Sequence, residues 1–494
     1  MVRADVDVIV SGLRAAGTDS RTVEAKSAAG GLPKTLVSSL CAFANLPGGG
    51  TIILGLDESQ GFAVVDLPNP RILAEGVVSM ARQALSPPVQ VEVAEVEFEG
   101  KVLIVATVAE TPTSAKPCRL TGSRKAFLRF GDGDYELSSV EEEAFVVGRG
   151  RPNFDEHPVE GARSDDLDSE LVEHFQREAR LSSARLRSFS DVDLLIKTGV
   201  TNRDGVPTTA GLLALGQYPQ QFLPAVSIRA ALLPLGASRG YLRALDEATF
   251  TGPVTSMLDD AMDWVRKNSR TEIVEDKRTG AVSNRLWPPA LAVRELVANA
   301  IVHRDLAPWS SGRAIEIRMT NQAFRITSPG GLYGVTVASL GTLEITSARN
   351  RQLVDICKKL ETKDGRVVEA LASGIPTVLE ELAASQLPPP GFFDDGLSFT
   401  AIIYARPENW ESEKPSPSLA SSVGRTVEIP PRKTSPALAE VLGALGSGPQ
   451  DLNSLTERLA VPKASVSKRL QKLMHQGLVL SDGGRGVLTK YRRA

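Results

Sequence analysis

The stretch Arg294 to Asp305, RELVANAIVHRD, restricts the possible folds more than any other part of the sequence. On an α-helix Glu295, Asn299 and His303 fall at i, i+4 and i+8 and form one slowly drifting polar stripe, while Val293, Leu296, Val297, Ala300 and Ile301 take the rest of the surface. A helix that is apolar around most of its circumference has to be buried, and the stripe then needs a polar partner. The chain is therefore expected to pack other elements around this helix and to leave something polar, side chains or a ligand, beside it.

At 494 residues, 42% of them hydrophobic, the chain exceeds what one core usually organises, so a multidomain α+β protein is expected. A net charge of −3 gives no overall field for nucleic acid, so any such binding must come from a local patch. Cys41, Cys118 and Cys357 lack CxxC spacing, which argues against a disulfide framework or a cysteine zinc site and fits a reducing cytoplasm. No apolar run approaches the roughly 18 residues that span a bilayer, and MVRADVDVIV is too acidic and short for a signal peptide.

Residues 1–146 read as one α+β domain. An opening helix and a helix over Leu36, Leu40 and Phe43 lead through a glycine turn into a strand from Thr51 to Leu56. Two alternating strands then flank Glu99-Gly100, and KAFLRFGDGDYELS supplies another strand. Residues 147–165, polar with scattered Gly and Pro, are expected to be a linker, followed by a middle α/β region at 166–285. In 286–406 the motif helix precedes a hairpin in which Ile315, Ile317 and Met319 alternate with polar residues, marking a strand with one buried face. Residues 407–434 are rich in Pro, Ser and charge and read as a flexible linker. The remainder, 435–494, reads as three short helices and a hairpin, a winged helix.

A helix carrying Glu and Asn one turn apart, followed by a strand and the glycine turn ITSPGGL, resembles the N-box region of the GHKL ATPase fold. The order RELVANAIVHRD, ITSPGGL, SARNRQLVDICKKL and ASGIPTVLEELAASQLPPPGFFDDGLSFTAIIY is close to the ATPase-like region of bacterial RecG-like ATP-binding proteins and transcriptional regulators, across most of 165–405. The resemblance implies ATP and Mg²⁺ as ligands, with Asn299 on the magnesium and Glu295 as the base of a weak ATPase. Mg²⁺ favours oxygen donors, and a carboxylate near a water can accept its proton. It further implies that Gly330, Gly331 and Gly374 form backbone walls, and that His303, Asp305, Arg349 and Asn350 border the pocket; the alternative, of equal weight for His303 and Asp305, is that these two anchor the helix end, and for Arg349 and Asn350 it is helix capping. Ser328 stands where ordinary GHKL members have the adenine-reading aspartate, so a charged acceptor is missing. No G-x-x-x-x-G-K-[ST] sequence is present to support a helicase motor.

TVEAK followed by LCAFANLPGGGTIILGLDES resembles the AlbA_2, or Schlafen-like, nucleic-acid-binding domain. By that resemblance Lys26 is a nucleic-acid contact, and Asp19, Glu24 and Asp57 match the carboxylates that hold a divalent metal in Schlafen nucleases. The bland reading has Glu24 and Lys26 as an exposed strand pair and Asp57 ending a strand at a turn.

Residues 461–494 hold eight Lys or Arg against one acid, Asp482. Ser465, Lys468, Arg469 and Lys472 sit near the outer face of the recognition helix, Lys463 precedes them as a further DNA contact, and Arg485 lies in a glycine-rich wing, a composition suited to major-groove entry with phosphate clamps, the alternative being a solvated basic helix that meets protein. The parts together describe a cytoplasmic, homo-oligomeric transcriptional regulator in which ATP and Mg²⁺ modulate binding to DNA or RNA. The alternative is an ATP-regulated Schlafen-type metal-dependent nuclease acting in phage defence.

Overall fold

Strand Gly50–Leu54 has side chains buried on both faces, and the N-terminal domain is built around it. It pairs in parallel with Val23–Lys26 and antiparallel with Lys101–Val108, which pairs with Val91–Phe98, giving a four-stranded sheet. Alternation sends Ile52, Leu54, Ile104 and Ala106 into a core shared with helix Leu36–Asn45. Ile53, Leu103 and Val105 go to the opposite face, where Val6, Val10 and Leu13 of helix Arg3–Ala16 cover them. The expected hairpin turn at Glu99-Gly100 has both residues at positive φ, 48° and 78°. Gly49, at φ 72°, passes so close to the Val108 carbonyl that no side chain fits there.

The computed structural model describes residues 3–234, 243–275, 282–342, 347–368 and 374–406. Near the C-terminus it describes 444, 450–459, 461, 463, 466–467, 469–470, 479–481 and 490–493. The chain divides into two units, Met1–Thr426 and Val427–Ala494. The expected linker 407–434 lies outside the described residues.

After the N-terminal domain a six-stranded sheet runs in the order Asp246–Phe250, Ile228–Leu232, Ile315–Met319, Ala323–Pro329, Ser398–Tyr404, Gly391–Asp394. Only Ile228–Leu232 and Ile315–Met319 pair in parallel. Ile315–Met319 buries alternate residues, as its sequence pattern requires. The motif helix, Ala290–His303, packs against Ala323–Pro329 and between helices Val254–Asn268 and Gly374–Ala384.

A boundary at 285/286 does not separate two bodies. The parallel pair joins strands from either side of it, and one core runs from Val159 to Ala405. Long-range strand pairing of this kind leaves no local periodic signal, which is why the sequence read as two regions. Likewise the segment 147–165 is packed rather than loose. It contains 3₁₀ turns at Phe154–Glu156 and Ser164–Asp166, and Val159 and Ala162 join the core. Within it, buried Asp155 accepts the Gln352 and Leu353 amides at 2.8 and 3.2 Å, occupying donors at the start of helix Arg351–Cys357.

In the C-terminal unit, helix Leu452–Leu459 is accompanied by a three-stranded sheet of Gln450–Asp451, Lys490–Arg493 and Val479–Ser481. Val479–Ser481 and Lys490–Arg493 form the antiparallel hairpin expected of a wing, and Leu455, Val466 and Leu470 are buried.

Candidate functional site

The polar stripe opens onto a cavity of about 400 Å³. Glu295, Asn299, His303, Ser328, Gly330, Gly331, Arg349 and Gly374 all line it, together with apolar residues such as Ile326, Leu340 and Phe399. Residues separated by up to 106 positions in the chain, Glu295 to Ala401, are thus brought to one hollow by the motif helix, strands Ala323–Pro329 and Ser398–Tyr404, and helix Gly374–Ala384.

Gly374, the first described residue of its helix, lies opposite the stripe. A Cβ there would stand 3.1 Å from Asn299 Nδ2 and 3.2 Å from Glu295 Oε2, so only bare backbone faces the two side chains. Among the described residues the Asn299 carboxamide makes no hydrogen bond. Glu295 is buried and takes Arg294 Nη1 at 3.0 Å on Oε1. Arg294 also donates to the Arg366 carbonyl.

At the other end, burial pushes the His303 imidazole down to about 4, and the Arg349 charge adds to this, so the ring is neutral at pH 7. Ser328 Oγ donates to the Ala300 carbonyl at 3.0 Å, which leaves the hydroxyl able to accept but not to donate elsewhere. Arg349 spans the wall. Its Nη1 pairs with Asp305 Oδ2 at 2.9 Å, its Nη2 donates to the Gly331 carbonyl at 2.6 Å, and its guanidinium lies 5.8 Å from the Tyr333 ring.

Asp305 and Asn350 are not on the cavity wall. Asp305 accepts Ala307 N at 2.8 Å and Trp309 Nε1 at 3.2 Å besides Arg349. Asn350 donates to the Val302 and Arg304 carbonyls at 3.0 and 2.7 Å, satisfying the end of the motif helix. Both anchor the helix terminus and reach a ligand only through neighbours. Arg304, buried and unremarked in the sequence, donates to the carbonyls of Ala225 and Arg313 at 3.1 and 3.0 Å.

In the N-terminal domain Asp19 and Glu24 meet around fully buried Arg129, which also pairs with Asp134 at 3.0 Å. Lys26 pairs with Glu24, as the strand-pair reading has it, but Glu24 is buried rather than exposed because Arg129 covers it. Lys26 therefore offers an ammonium already engaged by a carboxylate. Asp57 is used by its own turn, accepting Ser59 N at 3.0 Å, Ser59 Oγ at 2.7 Å and Gln60 Nε2 at 2.9 Å. No group of three or more metal-ligating side chains able to hold an ion occurs among the described residues. Burial raises Asp19 to about 7, and the neighbouring Glu24 charge acts in the same direction. Arg129 was missed in the sequence because its partners lie 5 to 110 positions away. A lone arginine between Leu128 and Phe130 in a strand was the available signal.

Of the recognition-helix residues Lys463 is exposed and Arg469 is half-buried, whereas Ser465, Lys468, Lys472 and Arg485 lie outside the described residues.

The family described as "Schlafen, AlbA_2" matches residues 19–138, which include Asp19, Glu24, Asp57 and Arg129. The family described as "Putative ATP-dependent DNA helicase recG C-terminal" matches 312–403, taking in Ser328, Arg349 and Gly374 but starting beyond the motif helix. The IclR helix-turn-helix domain matches 438–483. No curated protein matches the chain. Among solved structures, the DIP2311 protein of Corynebacterium diphtheriae is 19% identical with a TM-score of 0.39, over 100% of this chain and 97% of that one. The N-terminal domain of a "Putative ATP-dependent DNA Helicase RecG-related Protein" of Nitrosomonas europaea is 27% identical with a TM-score of 0.23, over 28% of this chain and 94% of that one. No helix among the described residues is long and apolar enough to cross a membrane. The family matches give the chain a three-part composition: a Schlafen-type AlbA_2 domain, a region of the recG C-terminal type, and an IclR-type helix-turn-helix.

Proposed function

We propose that the protein is a nucleic-acid-binding regulator whose central cavity takes ATP with Mg²⁺. The observation that carries this reading is the Asn299–Gly374 face. An oxygen-bearing side chain with no hydrogen bond among the described residues stands opposite the bare backbone of Gly374, at the wall of a hollow of about 400 Å³.

The residues fit the ligand. The bare backbone at Gly374 leaves room for phosphate, Asn299 supplies an oxygen for a cation that keeps several waters, and the apolar wall around Ile326 and Phe399 suits a base. When bound, magnesium neutralises triphosphate charge and orients it. Glu295 is the residue placed to accept a proton from water in slow hydrolysis, and its pairing with Arg294 keeps the carboxylate engaged meanwhile.

The AlbA_2 and helix-turn-helix matches support DNA or RNA as the macromolecular partner, and regulation of transcription, self-association and a cytoplasmic location complete the reading. The engagement of Asp19 and Glu24 by Arg129 favours binding over metal-dependent cleavage in the N-terminal domain. Calorimetric titration with ATP and Mg²⁺ tests the reading: wild type binds, and Asn299→Ala loses the Mg²⁺-dependent part of the affinity. Equal affinity in the two proteins removes the magnesium role.

A further inference from the structure

The cavity wall is fastened to the N-terminal domain by two separate routes. The first starts at Arg349, whose Nη1 holds Asp305 Oδ2 at 2.9 Å. The same carboxylate oxygen accepts Trp309 Nε1 at 3.2 Å. Trp309 is buried in the core of the N-terminal domain, beside residues such as Leu137, Ala144 and Phe145. One carboxylate oxygen thus links a cavity arginine to an indole that belongs to another domain's core.

The second route starts at the glycine turn. Gly330 N donates to the Leu397 carbonyl at 2.8 Å, and Leu397 also lies in the N-terminal core. At Gly331 a Cβ would meet Asp394 Oδ1, whose partner oxygen takes Leu332 N at 3.1 Å. Arg21 of the N-terminal domain donates to the Asp394 carbonyl, and a Cβ at Gly396 would stand 3.3 Å from the Phe145 ring. The turn that walls the cavity cannot shift without moving these contacts, because packed interiors transmit displacement rather than absorb it.

We propose that an anionic nucleotide in the cavity loosens the N-terminal domain's hold on the ATP-binding region, through Arg349–Asp305–Trp309 and through Gly331–Asp394–Arg21. The inference rests on the nucleotide reading above and adds the place where occupancy is sensed. The physical cause is competition for Arg349. Both its Nη groups are engaged by protein oxygens, while its buried Nε has no acceptor among the described residues. A phosphate oxygen entering the wall draws the guanidinium from Asp305, because a mobile polyanion at close range outbids a carboxylate that retains two other donors, Ala307 N and Trp309 Nε1. A ligand shifts an equilibrium only by its unequal affinity for two states, and by reciprocity the looser state binds the nucleotide more tightly.

The test uses the full chain, ATP with Mg²⁺, calorimetry for affinity, and hydrogen–deuterium exchange read in peptides covering 19–26 and 141–149. In wild type, nucleotide is expected to speed exchange in those peptides on the order of 5-fold or more. Arg21→Ala, remote from the cavity, is expected to raise exchange without nucleotide, to shrink the nucleotide response below about twofold, and to tighten nucleotide binding by a factor matching the lost response. Asp305→Asn, which keeps side-chain size but replaces one acceptor oxygen by a donor, is expected to act in the same direction. Nucleotide binding that leaves wild-type exchange unchanged overturns the proposal while the cavity reading stands, as does an Arg21→Ala affinity equal to wild type. Absence of nucleotide binding overturns both.

Discussion

Asn299 and Gly374 face each other so closely that a methyl group on the glycine would stand 3.1 Å from the carboxamide nitrogen. Helix Gly374–Ala384 tolerates alanine at its first residue on propensity grounds, so any loss from Gly374→Ala comes from the filled space. Crowding of this kind costs about 1–3 kcal/mol, or roughly 5- to 150-fold in affinity. Gly374→Ala is expected to weaken ATP binding in calorimetry by up to that factor and, because the methyl crowds Asn299 and Glu295 themselves, to lower the melting temperature as well. Unchanged affinity would mean the nucleotide sits elsewhere.

Ser328 spends its hydroxyl proton on the Ala300 carbonyl. Ser328→Ala leaves that carbonyl without this donor, and the cost in urea denaturation is expected to be about 1 kcal/mol. The lost hydroxyl was not donating to a ligand. Discrimination between ATP and GTP is therefore expected to stay within a factor of about 3, less than the roughly 1 kcal/mol of a typical hydrogen bond.

The Arg129 cluster makes a pH prediction. Asp19 is raised from its ordinary carboxylate range to about 7, so the folded state holds a proton that the unfolded chain releases near 4. Its contribution is therefore fully present below the unfolded value and lost as pH rises through about 7. Asp19→Asn retains an acceptor for Ala25 N and cannot ionise, so the decline in melting temperature between pH 5 and 8 is expected to flatten. Arg129→Met strands buried carboxylates and is expected to cost on the order of 3–5 kcal/mol at pH 8, and less at pH 5 where Asp19 is protonated. A penalty independent of pH would contradict this.

His303 gives the opposite slope. Its folded value near 4 lies below the unfolded one, so its contribution is present above about 6.5 and disappears as pH falls through 4. His303→Gln is expected to reduce acid sensitivity in that window, followed by circular dichroism during acid titration.

Lys463 is exposed in the C-terminal unit. If it clamps a phosphate, Lys463→Ala reduces the slope of log K against log salt for duplex DNA by about 0.9, with a similar loss on every sequence. A slope equal to wild type would assign the contact to other residues.

What could be read from the sequence follows the range of the interaction. The stripe of Glu295, Asn299 and His303 was legible because helical periodicity is local, and all three side chains reach the cavity. The hairpin at Glu99-Gly100 was legible for the same reason. Asp305 and Asn350 sit within the same motifs, yet their oxygens and nitrogens turn to Trp309, Arg349 and the helix-end carbonyls, a distinction that only packing makes. Asp155 looked like part of a linker because its partners, the Gln352 and Leu353 amides, are nearly 200 positions away. Arg129 was hidden likewise, its role being set by two carboxylates from another strand and the loop before it.

The parallel pairing of Ile228–Leu232 with Ile315–Met319 bears on how the protein is made. At about 5–20 residues per second the ribosome delivers the second strand several seconds after the first. Until then one side of Ile228–Leu232 stays bare, open to chaperones or to sticking to another nascent chain. Gene fragments cut between residues 250 and 315 inherit that bare edge permanently, so a piece for biochemistry that contains Ile228–Leu232 should run on past Ile315–Met319.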